Sequence, residues 1–127
     1  MLTTETITKV NDALAGMDYL INEMESRYLL FKSSGVGDIG EYNKRVNTNE
    51  KPKLPYLVFI VDELADLMSV SKQAFEGKLG RLAAKARAAG IHIVLATQRP
   101  DTKVITGTIK SNLTARIALT VPTFTDS

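Results

Sequence analysis

Two acids stand side by side at the end of the most apolar stretch of this chain. Asp62 and Glu63 close the run LVFIV that begins at Leu57. Like charges repel, so an adjacent carboxylate pair is best tolerated where a cation neutralises it. An Asp at the tip of a buried strand can hold the Mg2+ of a nucleoside triphosphate through water. The Glu beside it can then orient the water that attacks the γ-phosphate. Gln98 ends a second apolar run, IHIVLAT, where a side-chain amide can sense the same phosphate by hydrogen bonding. A plainer role stays open, because Asp62 can also cap a turn through residues 64–67. Asp66, one turn beyond Glu63, suits a solvated or helix-starting carboxylate, and His92 suits a structural role.

Such residues need a scaffold, and the apolar spacing supplies one. Val10, Leu14, Met17, Ile21, Met24, Tyr28 and Phe31 recur at intervals of three and four, which predicts an amphipathic helix over 8–32 stopped by Gly35. Residues 33–55 are rich in Gly, Asn, Lys and Pro and read as a linker, with one short helix over 39–46 capped by Asp38. The run at 57–62 is a strand without alternation, and burial on both faces is expected, as in a parallel sheet. A second amphipathic helix is expected over 73–89, with Phe75, Leu79, Leu82 and Ala86 inward and a basic stripe of Lys78, Arg81 and Lys85. Gly77 and Gly80 weaken it by about 1 kcal/mol each, and Gly90 stops it. Strands over 91–97 and 115–121 follow. Strands alternating with helices define an α/β fold with a parallel sheet. Ligands of such sheets sit at the carboxyl ends of the strands, where Asp62, Glu63, Gln98 and Arg99 fall.

Composition narrows the chemistry further. The 127 residues are 44% hydrophobic and 24% charged, suited to one globular domain, and contain no cysteine and a single histidine. Disulfides, thiolate metal sites and histidine metal clusters are thereby excluded. No apolar run approaches the ~20 residues that span a bilayer. No secretory signal is visible, so a cytoplasmic setting is expected. Residues 1–71 hold 7 basic and 11 acidic side chains, whereas residues 72–127 hold 9 basic and 3 acidic. A basic second half suits a polyanionic partner, although solvated faces produce the same asymmetry.

Three blocks carry a resemblance more specific than any of these parts: LVFIVDELADLM, RLAAKARAAGIHIVLATQRP and VITGTIKSNLTARIALTV. Together with NEMESRY and GVGDIGEYN upstream, they resemble the motor ATPase of the FtsK/SpoIIIE family of DNA translocases over nearly the whole chain. The resemblance implies a RecA-like P-loop NTPase core that uses ATP and Mg2+. It also implies a ring, usually hexameric, that moves double-stranded DNA in chromosome segregation or DNA transfer. Asp62 and Glu63 then match the Walker B pair, for Mg2+ and water activation, and Gln98 matches the sensor. Arg99, Lys103 and Lys110 follow the sensor strand, where basic groups can approach DNA phosphates. One departure matters: no GxxxxGK(S/T) phosphate loop occurs in the 127 residues. The expectation is an incomplete core without the P-loop strand, inactive by itself, from a parent that can be anchored at the inner face of the membrane. Two alternatives stand beside it: a DNA- or ring-binding protein that does not hydrolyse ATP, and a conjugative coupling ATPase.

Overall fold

A computed structural model describes residues 10–46, 50–98, 102–104 and 106–112. The long helix α1, Val10–Ser34, ends where Gly35 turns to a φ of 69°, which lets the Val36 N–H reach back to the Phe31 carbonyl at 3.0 Å. That left-handed residue is the expected stop, since it satisfies a carbonyl the helix would leave unpaired. Helix α2, Ile39–Arg45, starts at Asp38, whose side chain accepts from the Glu41 N–H at 2.8 Å. The Glu41 side chain in turn accepts from the Gly37 N–H, one residue before the cap, at 2.9 Å.

Strand β1, Leu57–Val61, and strand β2, Ile91–Leu95, pair in parallel, with Leu57 opposite Ile91 and Val61 opposite Leu95. Their inward residues, Val61 and Ile91 among them, meet a core formed by Met17, Ile21, Met24 and Phe31 of α1 and by Leu64, Phe75, Leu79 and Leu82 of α3, Leu64–Ala83. The expectation of burial on both faces is corrected here. Val58 is 60% exposed, Ile60 64% and Val94 47%, because the described helices cover one side of the sheet only. His92 also lies on the open side, stacked on Tyr56 with ring centroids 5.9 Å apart. The proposed strand 115–121 lies outside the described residues.

The second helix departs from its expected span of 73–89. It begins nine residues earlier, at Leu64, and is broken by non-helical dihedrals at Ser71 (φ −139°, ψ 46°), so the expected start falls just after the kink. It also ends earlier, at Ala83. From there the chain tightens into turns in which Lys85 N–H reaches Leu82 O, Ala89 N–H reaches Ala86 O and Gly90 N–H reaches Arg87 O. The carbonyls that a continuing helix would use are claimed from elsewhere. Tyr28 Oη donates to Lys85 O at 2.8 Å, Ile39 N to Ala88 O at 2.9 Å and the guanidinium of Arg27 to Ala89 O at 2.8 Å. Gly90 then reverses the chain at a φ of 81°, and a side chain there would lie 2.4 Å from Ile39 Cδ1.

The basic stripe of the second helix faces α1. Lys78 pairs with Asp18, Arg81 Nη2 lies 3.1 Å from Glu25 Oε1, and Lys85 Nζ sits 5.7 Å from the Tyr28 ring centroid. Part of the charge asymmetry between the two halves is therefore answered inside the fold. Helix α4, Gly107–Asn112, is capped by Thr106, whose hydroxyl also donates to Glu76 of α3 at 2.6 Å. Ile109 is fully buried beneath it.

Candidate functional site

The two strands stop flush, and the chain after each is stitched to the other. Ala96 N–H donates to Val61 O at 2.9 Å, and Leu64 N–H donates to Ala96 O at the same distance. Between these bonds sits Glu63, half-buried, in extended backbone (φ −130°, ψ 96°). Its Oε1 accepts from the Ala65 N–H at 3.1 Å and from the Thr97 hydroxyl at 2.6 Å, and its Oε2 accepts from the Gln98 N–H at 3.1 Å. Glu63 is thus the N-cap of α3, which sets aside the alternative reading in which Asp62 caps this turn. The longer side chain folds back onto the helix start, while Asp62 projects outward.

Asp62 is exposed and makes no hydrogen bond or ion pair among the described residues. A lone carboxylate of this kind fits Mg2+, which keeps most of its waters and takes one or two protein carboxylates beside substrate phosphates. Among the described residues there is no group of three or more Asp, Glu or His that would cage a metal by protein ligands alone. Gln98 is exposed one residue beyond Thr97, bonding Glu63 through its backbone. The sheet edge therefore brings Asp62, Glu63 and Gln98 together. Asp66 is exposed in the first turn of α3.

The basic candidates are placed differently. Lys103 is exposed in the turns after β2 and Lys110 is exposed in the last turn of α4, while Arg99 lies outside the described residues. Thr97 was missed in the sequence. Its only signal was position, a hydroxyl next to Gln98 on the strand end facing the acid pair.

A parallel strand pair with helices packed on it, carrying an acid pair and a glutamine at its carboxyl edge, is a partial RecA-like P-loop NTPase core. Comparison with known proteins narrows this class. The sequence pattern of the FtsK/SpoIIIE family matches residues 1–102, and the chain belongs to that family. It is 49% identical over 127 residues to the DNA translocase SpoIIIE of Bacillus subtilis strain 168, covering 95% of this chain and 16% of that protein. It is 48% identical to the DNA translocase SftA of the same organism, covering 99% of this chain and 13% of SftA. The solved pCW3 conjugation coupling protein TcpA, in its monomer form with ATPγS, matches with a TM-score of 0.71 at 39% identity, covering 84% of this chain and 32% of TcpA. The chain spans about a sixth of the length of its curated relatives. No helix among the described residues is long and apolar enough to cross a membrane.

Proposed function

We propose that this chain is the Walker B-to-sensor segment of an ATP-driven motor that moves double-stranded DNA, working as a ring of like subunits. The observation that carries this reading is the meeting of Glu63 with the end of β2, through Thr97 Oγ1 at 2.6 Å and Gln98 N at 3.1 Å. An acid fixed at that edge, beside an exposed Asp62, is where a triphosphate would present its γ-phosphate. Asp62 would hold Mg2+ through water, and the bound ion would supply charge neutralisation at the β- and γ-phosphate oxygens. Glu63 orients and polarises the attacking water, and Gln98 hydrogen-bonds the γ-phosphate. Lys103, Lys110 and Arg99 approach DNA phosphates, which gives attraction without sequence preference. The open apolar row of Val58, Ile60 and Val94 supports a segment that works within a larger fold. Without a phosphate loop in its sequence, the chain by itself is not expected to turn over ATP.

The test is Glu63→Gln in the complete motor that carries this segment. Removing a water-activating carboxylate should lower kcat by about a hundredfold or more while nucleotide still binds. Steady-state ATPase within a few-fold of the unaltered motor would sink the role given to Glu63. The likeness to TcpA supports a second version of the same chemistry, a conjugative coupling ATPase. Loss of plasmid transfer, with chromosome partition intact, after Glu63→Gln in the cell would favour that version.

A further inference from the structure

We propose that Thr97 is a positioning residue for Glu63, setting which way the carboxylate faces when it activates water. The inference rests on the reading of Glu63 given above and adds a residue to it. Among the described residues, the Ala65 N–H, the Thr97 hydroxyl and the Gln98 N–H reach the carboxylate, and these three donors differ in kind. The Ala65 N–H belongs to the helix start that Glu63 caps, and the Gln98 N–H is backbone of the neighbouring strand end. Thr97 is the one side-chain donor of the three, and its contact is the shortest at 2.6 Å, in the range of a charge-assisted O–H···O bond. Its β-branched side chain is stiff about χ1, so the backbone of the strand end aims the hydroxyl. Glutamate, by contrast, has three torsions to fix.

The Thr97 bond is not needed to hold the strand ends together. Ala96 N–H to Val61 O and Leu64 N–H to Ala96 O already do that, both at 2.9 Å and both through backbone. What the hydroxyl adds falls on the carboxylate itself. It draws Oε1 toward β2 and away from free rotation, leaving the orientation of Oε2 determined. Misplacing a reacting group by about 1 Å can cost on the order of a hundredfold in rate, so a single hydroxyl can matter here.

The experiment uses the complete motor with Thr97→Val, Thr97→Ser, Glu63→Gln and the double variant. Valine keeps the shape and removes the donor, and serine keeps the donor. Thr97→Val should lower kcat about tenfold or more with the KM for ATP within about twofold, and Thr97→Ser should recover most of the rate. In the Glu63→Gln background Thr97→Val should cost nothing further, since the carboxylate it positions is gone. Near-normal turnover by Thr97→Val while Glu63→Gln is inactive overturns the positioning role and leaves Glu63 standing. Normal turnover by Glu63→Gln overturns the role of Glu63 itself. A further rate loss in the double variant, or a raised KM without recovery by serine, assigns Thr97 to structure alone.

Discussion

The two ends of one short sheet are built on different terms. At the amino end, the turn of residues 84–90 gives the carbonyls of Lys85, Ala88 and Ala89 to α1 and α2, and that of Gly90 accepts from Leu57 N–H at 2.8 Å. Arg27 there is 3% exposed and Ala89 fully buried, so the bond between them is dry, while the Tyr28–Lys85 bond lies nearer the surface. At the carboxyl end Asp62, Ala96 and Gln98 are exposed, and among the described residues a half-buried Glu63 is steadied by the Thr97 hydroxyl and the Ala65 and Gln98 N–H groups. The closed end holds the strands; the open end leaves its charged groups available to a ligand. The exposed end is thereby supported from behind by a more rigid one.

That contrast can be broken by substitution, beginning with the largest expected change in stability. Arg27→Met removes the donor to Ala89 O at 2.8 Å, leaving a buried acceptor unpaired while keeping the aliphatic bulk. A loss of about 2 kcal/mol is expected in urea unfolding, at unchanged m-value. A loss below about 0.5 kcal/mol would mean the amino end is not the stronger joint.

Tyr28→Phe should be milder, at about 1 kcal/mol, since the Tyr28–Lys85 bond is partly open to water. It also carries a sign in pH. Burial pushes the Tyr28 phenol above its ordinary 10.0, so folding favours the neutral form. That contribution is fully present below pH 10.0 and is lost as pH climbs through the raised value. Tyr28→Phe should therefore flatten the alkaline fall in stability, and an identical fall in both proteins would count against it.

The smallest effect is reserved for the open end. Asp62→Asn should leave unfolding within about 0.5 kcal/mol of the parent, because Asp62 is exposed and unpaired among the described residues. A clear gain in stability would instead reveal repulsion between Asp62 and Glu63 in the absence of a cation.

Much of this division was legible in the sequence. Continuous apolar runs ending on Asp62–Glu63 and on Gln98 marked both strands and their carboxyl edge, and Asp38 and Gly35 marked a cap and a stop by chemistry that acts locally. Gly90, read as a helix stop, instead closes a turn seven residues past the helix end. What escaped were features decided across the chain. The spacing put Tyr28 on the inner face of α1, yet Arg27 beside it is the buried residue, because its partner carbonyl lies 62 residues away. The early end of α3 has the same origin, since distant donors take the carbonyls of Lys85, Ala88 and Ala89 just beyond it. The kink at Ser71 has no sequence signal we can name, and Thr97 drew no notice because a threonine in a strand is ordinary.

Register is the last consequence. Leu57 sits opposite Ile91 because Gly90 O meets Leu57 N–H at one end, and two residues past the fifth and last pair the same offset sets Glu63 against Thr97. The strand pair is thus a ruler about five residues long, zeroed at the glycine. Chain length in residues 84–90 becomes a quantity that cannot drift. One residue added there without compensation would slide β2 by about 3.3 Å and turn its inward side chains outward. The error would appear far from the insertion, as a glutamate whose partner has moved out of reach.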